Sequence, residues 1–385
     1  MSTPIHEPTI ADDGVLRPTH LEVDLGRLRF NYRAVSAHVG HAKVMPILKA
    51  NAYGHGLVEC ARLFEREGAP YLGVAYLEEG MRLRQVGIAT PILVLGGILG
   101  RQIPLYLMND LTLTASSVDK LRAIDAVAAD LGRVAKVHLK IDTGMERIGI
   151  HWYSASTLLE ASLACKHVHV EGIFSHFARA DEADLSPARR QLERFEEVLA
   201  FYEARSLPTP MRHMANSGAI LQMPESHLDM VRPGICLYGV YPSDACARSV
   251  EVRPALSWKS RVVYFKVVRP GSPVSYGGAW SSDVQARLIT MPVGYGDGYQ
   301  RRMSGRAQVI VRGERFDVVG RICMDQIMAN IGWKSAYNGD EVVLLGESGD
   351  VSIRVEELAA WAETIPYEVL CGINTRVPRI YVESE

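Results

Sequence analysis

The 385-residue sequence has no apolar segment of membrane-spanning length, and nothing in it predicts an integral membrane protein. Its first residues, MSTPIHEPTIADDG, are polar and contain no apolar h-region, which argues against a secretory signal. The formal net charge is −2, too small to favour nucleic acid or an anionic membrane as a partner. We therefore expect a cytoplasmic protein that binds neither nucleic acid nor membrane.

Cysteine is scarce and scattered. No two of the six cysteines form a C-x-x-C pair and none lies at zinc-ligand spacing from a histidine; they are Cys60, Cys165, Cys236, Cys246, Cys323 and Cys371. A disulfide framework or a metal site is therefore not expected. The string GYGDGYQRR contains a G-x-G pattern, but no helical pattern follows it, so a dinucleotide fingerprint is excluded as well.

Short apolar runs alternate with helical patterns over the first two thirds of the chain. The runs are VMPILKA, YLGVAYL, PILVLGG, LTLTASS, KVHLKID, VEGIFSHF, MRHMANS and MVRPGICLYG. Several are continuously apolar, which is typical of parallel strands buried on both faces. The clearest helix is SPARRQLERFEEVLAFYEARS, with Ser186 as candidate N-cap. Eight strands interleaved with helices favour an α/β fold with a (β/α)8 TIM-type barrel over an open sheet.

The pattern changes near residue 250. Runs such as WKSRVVYFKVV, ARLITMPVGYG, AQVIVRGERFDVVGRI and DEVVLLG predict strands, and RVEELAAWAETI predicts one helix among them. We therefore expect a flexible segment over 1–16, a barrel over 17–250 and a mostly β C-terminal domain over 251–385. Residues 17–25 are expected either to join the barrel or to pack on the second domain.

Polar residues end several of the predicted barrel strands. In a parallel barrel the active site lies at the carboxyl ends of the strands, so we expect these side chains to converge. They are Lys49, Lys140 with Asp142, His176, Asn216 with Ser217, and Arg232.

The stretch VMPILKANAYGHG contains the first of these residues, Lys49. A lysine at a strand end often extends its ammonium group to solvent. A desolvated lysine instead loses proton affinity and becomes a nucleophilic amine that can bind a carbonyl cofactor covalently. Glycines before a helix also suit an anionic group. The residues alone leave both interpretations open.

The whole string KANAYGHG resembles the pyridoxal-phosphate (PLP) attachment motif of alanine racemases. The resemblance continues, in the family's order, through KIDTGMERIG, SHFARADE, ANSGA, RPGICLYG, VSYGGAW, GYGDGY, RICMDQ and PYEVLCGINTRVPR. It implies a PLP-binding barrel followed by a β domain, a homodimer with shared active sites, and interconversion of L- and D-alanine, which supplies D-alanine for peptidoglycan.

The resemblance also implies roles for individual residues. Lys49 and Tyr276 match the two catalytic bases, with Tyr276 acting on the partner subunit's site; racemisation needs an acid–base group on each face of the substrate. The expected cofactor-binding residues are Lys49, Tyr53, His176, Ser217, Arg232, Gly234, Ile235 and Tyr367. Arg147 and the amide of Met324 match substrate-binding positions. Lys140 matches a lysine that is carbamylated in many relatives. Supporting positions are matched by Asn216, Tyr295 and Asp325.

Simpler interpretations remain for single residues. They are an ordinary buried tyrosine for Tyr276, an interstrand salt bridge for Arg232, a helix N-cap for Ser217 and an ion pair with Asp142 for Lys140. Three other functions are weighed against alanine racemisation. They are a serine or broad-specificity racemase, a PLP-dependent decarboxylase of similar architecture, and a non-catalytic PLP-binding protein.

Overall fold

The computed structural model describes residues 16–384, so the segment 1–16 predicted to be flexible lies outside the described residues except for Leu16. The strands are β1 His20–Asp24, β2 Lys43–Val44, β3 Leu72–Val74, β4 Ile92–Val94, β5 Leu113–Ala115, β6 Ala135–Asp142, β7 Ile150–His151, β8 Val168–Phe174, β9 Met211–His213, β10 Met230–Val231, β11 Leu256–Arg261, β12 Tyr264–Val268, β13 Ala286–Met291, β14 Gln308–Val311, β15 Glu314–Val319, β16 Ile327–Asn330, β17 Glu341–Ser348, β18 Val351–Ile353 and β19 Arg379–Val382. The right-handed α-helices are Leu25–Val39, Leu57–Arg66, Leu77–Gln85, Ile103–Met108, Val118–Asp130, Ala155–Ala164, Ser186–Glu203, Ser217–Gln222, Val355–Ala362 and Pro366–Gly372.

The chain divides into two compact units. Within the described chain, one unit contains residues 26–253 and the other contains residues 16–25 and 254–384. Among the described residues, no helix combines the length and hydropathy needed to cross a lipid bilayer. All six cysteines lie in the described part of the chain and are free thiols.

The unit 26–253 contains the predicted parallel strands. Six of them pair in the order β2-β10-β9-β8-β6-β5, and β3 pairs with β4. These strands do not form one closed ladder. The β3–β4 pair is joined to the segment after β2 and to the residue before β5 by the single β-bridges Ile47–Gly73 and Leu93–Thr112. Each of the eight runs predicted from the sequence overlaps a strand in residues 16–384, and the α/β barrel class is confirmed.

The helix Ser186–Glu203 illustrates how its sequence selects one face. Leu192, Phe195 and Val198 are buried, at the spacing of one helix side. Its N-cap is Leu185, so the prediction of Ser186 as N-cap is wrong by one residue. Ser186 instead lies in the first turn and donates its hydroxyl to the Asp184 carboxylate at 2.6 Å.

The second unit is built on one mixed sheet with the order β12-β13-β16-β15-β14-β17-β11-β1-β19. The N-terminal strand β1 lies in this sheet, antiparallel to β11 and parallel to β19. Strands β14 and β15 form a hairpin, and its turn residues Arg312 and Gly313 have φ of 52° and 76°. Positive φ at both positions is typical of the turns that match strand twist.

Candidate active site

A left-handed turn follows the apolar run that ends at Lys49. Within Lys49–Tyr53, Ala50, Asn51 and Ala52 have φ of 54°, 56° and 53°, and Tyr53 has φ of 52°. Residues with a Cβ avoid this region because each costs about 1–2 kcal/mol there. A run of four such residues therefore needs contacts from elsewhere in the fold to hold it.

Glu79 supplies one of these contacts. Its Oε1 accepts the amide of Ala50 at 2.7 Å, and its Oε2 accepts the amide of Ala75, also at 2.7 Å. One carboxylate thus joins the residue after Lys49 to the loop that follows β3. The Asn51 side chain accepts the amide of Leu57 at 2.8 Å, which fixes the far end of the turn. Sequence reasoning missed Glu79, because only its distant partners distinguish it from other helical glutamates.

Tyr53 and Gly234 form the wall of a small cradle. A Cβ on Gly234 would lie 2.4 Å from the Tyr53 hydroxyl, so only glycine permits this approach. The Ser217 hydroxyl accepts the Gly234 amide at 2.9 Å. Asn216, not Ser217, caps the helix Ser217–Gln222, through its side-chain oxygen and the Ala219 amide at 3.1 Å. The interpretation of Ser217 as an N-cap is therefore wrong.

Arg232 is buried among neutral acceptors. Its Nη1 donates to Nδ1 of His213 at 2.7 Å, and its Nη2 to the carbonyls of Ser175 at 2.6 Å and Met214 at 3.1 Å. His176 Nδ1 also lies 3.3 Å from Nη2. Burial lowers the pKa of Arg232 to about 9, which still leaves it protonated at neutral pH. No carboxylate among residues 16–384 pairs with it, which excludes the interstrand salt bridge.

Lys140 is 4% exposed and lies beside Phe174, with Nζ 4.8 Å from the ring centroid. Burial, and then the charge of Arg232, lower the pKa of Lys140 well below its usual value. A lowered pKa favours the neutral, nucleophilic form of the amine. Its Nζ donates to the Ile141 carbonyl at 3.2 Å, and in the described structure it forms no ion pair with Asp142.

The Asp142 carboxylate organises the loop after β6. It accepts the backbone amides of Gly144, Met145, Glu146 and Arg147 at 2.8 to 3.2 Å. Burial alone would raise the pKa of Asp142, but these hydrogen bonds outweigh burial and lower it. The loop thereby carries the exposed Arg147 side chain beyond the end of the strand.

His176 lies just after β8, in the same set of strand ends. Burial, then the charges of Arg232 and Lys140, lower its pKa well below the usual range. The ring is therefore neutral at physiological pH. The unit 26–253 thus brings together the predicted residues around two centres, the cradle of Tyr53, Ser217 and Gly234 and the buried pair of Arg232 and Lys140.

Tyr276 belongs to the second unit and is 69% exposed, which excludes the ordinary buried tyrosine. Its loop has φ of 69° at Ser275 and 71° at Gly277. Ser275 holds this conformation through its hydroxyl, which donates to the Arg321 carbonyl at 2.7 Å. The strained backbone presents the Tyr276 ring on the surface of its unit.

Two further loops of this unit carry Tyr295 and Met324. The Tyr295 amide donates to the Cys323 carbonyl at 3.0 Å, and the Gly296 amide to the Met324 carbonyl at 2.9 Å. The Asp325 carboxylate accepts a hydrogen bond from the Arg376 guanidinium at 2.7 Å. Tyr295 and Met324 are exposed side by side, and the half-buried Tyr367 lies in the helix Pro366–Gly372.

The residues of the barrel unit fit PLP. The cradle at Gly234 combines backbone amides with two hydroxyls, which suits a phosphate, and a larger residue at Gly234 would fill it. Lys49 follows the apolar run that ends at Leu48 and can supply the covalent amine. Among the described residues, no group of three or more metal-ligating side chains is assembled. Fold and site together are those of a barrel-type PLP enzyme.

Comparison with known proteins identifies the family. The alanine racemase N-terminal domain matches residues 23–242 and the alanine racemase C-terminal domain matches 255–381. The alanine racemase of Carboxydothermus hydrogenoformans is 44% identical over 369 residues, 95% of this chain and 100% of that protein. The chain therefore belongs to the alanine racemases, which are PLP-dependent isomerases.

Solved structures agree with this assignment. The alanine racemase of Clostridium difficile 630 has a TM-score of 0.91 and 40% identity, covering 96% of this chain and 97% of that one. The alanine racemase of Bartonella henselae, described with covalently bound pyridoxal phosphate, has a TM-score of 0.86 and 27% identity, covering 95% and 99%. The predicted alanine racemase function and PLP cofactor are confirmed.

Proposed function

We propose that Lys49 and Tyr276 are the two acid–base residues with which this chain interconverts L- and D-alanine. When bound, PLP supplies an electron-withdrawing ring that acidifies the Cα–H bond of the amino acid attached to it. The Lys49 amine holds or releases a proton on one face of Cα, and the Tyr276 hydroxyl does so on the other. Two positioned groups on opposite faces are what inversion requires.

The barrel unit is assigned the cofactor. The Tyr53 and Ser217 hydroxyls and the backbone of Gly234 and Ile235 would hold the phosphate, together with Tyr367. The single observation that carries this assignment is the 2.4 Å approach of the Tyr53 hydroxyl to the Cβ position of Gly234. Arg232 would face the pyridine nitrogen, and His176 would connect it to the tyrosine base.

Substrate selection is assigned to a second group of residues. Arg147 and the Met324 amide would bind the carboxylate, while Tyr295 and Tyr367 would restrict the side chain to about the size of a methyl group. Asn216 and Asp325 would support these residues through the helix cap and the Arg376 ion pair. Lys140, buried and with a lowered pKa, is a candidate for carbamylation by carbon dioxide.

The active unit is proposed to be a homodimer in which Tyr276 acts on the partner's barrel. The exposed position of the ring on a strained loop supports a role outside its own unit. A cytoplasmic location is supported by the free thiols of the described chain, since oxidising compartments favour disulfides. D-Alanine for peptidoglycan is the proposed use of the product.

A panel of L-amino acids, assayed for D-product with added PLP, tests the proposed substrate. Alanine should be turned over faster than serine, lysine or arginine. Comparable rates with any of these would favour a broad-specificity racemase, and release of carbon dioxide would favour a decarboxylase. Absence of D-product from the PLP-loaded protein would favour a non-catalytic PLP-binding role.

A further inference from the structure

A buried row of three side chains leads inward from Arg232. Its Nη1 lies 2.7 Å from His213 Nδ1, and His213 Nε2 lies 2.7 Å from His138 Nδ1. Arg232 is 4% exposed, and both histidines are 0% exposed. The row thus runs from a strand-end residue of the site into the interior of the barrel unit.

The hydrogen bonds fix the proton positions along the row. A guanidinium can only donate, so His213 Nδ1 is an acceptor and the ring proton sits on Nε2. That proton is donated to His138 Nδ1, which places the His138 proton on Nε2 in turn. Burial, and then the charge of Arg232, lower the pKa of His213 well below its usual range and that of His138 to about 3. Both rings are therefore neutral and locked in one tautomer.

The fold makes room for this pair. His138 in β6 faces Gly172 in β8 at an irregularity of the ladder, and a Cβ on Gly172 would lie 2.6 Å from the His138 ring. The His213 ring stacks on Phe174 with centroids 4.8 Å apart and planes 5° apart. The two imidazoles are consequently held by packing as well as by hydrogen bonds.

The row ends without a charge. His138 Nε2 is buried and has no hydrogen-bond partner among the described residues. The other acceptors of Arg232 are carbonyls and the neutral ring of His176. The positive charge of Arg232 is thus oriented on one side by the row, and no residue of the described chain in contact with it neutralises that charge.

We infer that His213 and His138 are positioning residues that act on the cofactor through Arg232, orienting its guanidinium while leaving its charge uncompensated. This inference rests on the proposed placement of Arg232 at the pyridine nitrogen of PLP. An uncompensated cation beside that nitrogen opposes its protonation. The row therefore limits the electron withdrawal of the ring and favours racemisation over conversion of alanine to pyruvate.

The isosteric pair His213→Asn and His213→Asp tests the charge. Both side chains place an oxygen near the position of Nδ1, and only aspartate carries a charge that neutralises Arg232. The readout is pyruvate released, with matching conversion of bound PLP to its amine form, per racemisation event. His213→Asp should raise this ratio at least about tenfold over His213→Asn, since an adjacent opposite charge shifts proton affinity by one unit or more. Equal ratios in the two variants would overturn the inference.

A second readout does not depend on catalysis. Nitrogen NMR of the histidine-labelled wild-type holoenzyme reports the tautomer of each ring, with His213→Asn and His138→Asn used for assignment. Both rings should carry the proton on Nε2 and stay neutral between about pH 6 and 8. A proton on Nδ1 of either ring, or titration in this range, would refute the locked row even if racemase activity is as proposed.

The exposed His169 of β8 provides a matched control. His169→Asn should leave the pyruvate ratio at the wild-type value, because the His169 side chain is exposed and is not part of the row. Gly172→Ala perturbs the row without changing either histidine, since the new Cβ meets the His138 ring. It should alter the tautomer signals and the pyruvate ratio, and wild-type values for both would contradict the inference.

Discussion

Gly234→Ala should weaken PLP binding without unfolding the barrel. The new Cβ would lie 2.4 Å from the Tyr53 hydroxyl and 3.1 Å from Cζ of the same ring. Since unstrained contacts need about 3.4 Å or more, the hydroxyl must move by about 1 Å. Tyr53 cannot move freely, because it is 5% exposed and stacks on Tyr238 at 4.9 Å. The Tyr238 hydroxyl is itself bound to the Ile47 carbonyl at 2.8 Å.

The magnitude follows from two effects. Overpacking of a tight site costs about 1–3 kcal/mol. Displacing the Tyr53 hydroxyl would also weaken the hydrogen bond proposed for it with the cofactor phosphate, and such a bond to a charged group contributes about 1.5–3 kcal/mol. Partial relaxation reduces their sum, so we expect the dissociation constant of PLP to rise about 10- to 100-fold.

Fluorescence titration of the apoprotein with PLP measures this change, and thermal unfolding of the apoprotein checks the fold. Gly100→Ala is the matched control, because a Cβ at Gly100 meets nothing within 4 Å. The double variant Gly234→Ala/Tyr53→Phe removes the hydroxyl that the Cβ would strike, so its loss should be smaller than the sum of the single losses. Wild-type PLP affinity in Gly234→Ala would refute the assignment of the cradle.

Two further predictions concern the scaffold. Glu79→Ala removes the acceptor of the Ala50 amide, so urea denaturation should show a free energy of unfolding lower by about 1.5–3 kcal/mol, and PLP should be lost faster. The control Glu78→Ala should show neither effect. Equal effects in the two variants would contradict the role of Glu79. A hydrogen bond from His20 outweighs burial and holds the pKa of Glu22 at about 2, below its ordinary 4.5. This stabilisation is complete above pH 4.5 and is lost as pH falls towards 2. Glu22→Gln should therefore reduce the free energy of unfolding by about 1 kcal/mol at pH 7, and the difference from wild type should vanish near pH 2. A difference that does not change with pH would refute this role of Glu22.

The barrel strands were predictable because burial on both faces leaves continuous apolar runs. Strands of the second unit were less visible. The short strand β16, Ile327–Asn330, lies between β13 and β15 and owes its conformation to those neighbours. The segment WKSRVVYFKVV is one continuous β-type run in the sequence, but it contains most of β11 and all of β12. Local sequence does not specify pairings made at long range.

Site residues were predictable where they belong to a sequence motif that indicates the chemistry. They were not predictable where contacts between residues far apart in the sequence define their role. KANAYGHG points to PLP, yet the left-handed turn after Lys49 contains two alanines and a tyrosine, which rarely adopt positive φ, and only Asn51 is of a type that favours it. No motif or ligand spacing distinguishes His213 in the sequence, although it contacts Arg232 across the fold. The roles given to Lys49 and Tyr276 stay predictions.

Subunit mixing tests the central claim, that Lys49 of one protomer and Tyr276 of its partner form one site. Lys49→Ala should lose covalent PLP and activity, while Tyr276→Phe should keep PLP and lose about 10²- to 10⁴-fold in racemisation. When the two variants are mixed and allowed to exchange subunits, half of the dimers carry one intact site of two. The mixture should then regain about a quarter of wild-type activity. No gain over the separate variants after proven exchange, or near wild-type racemisation by Tyr276→Phe alone, would contradict the account.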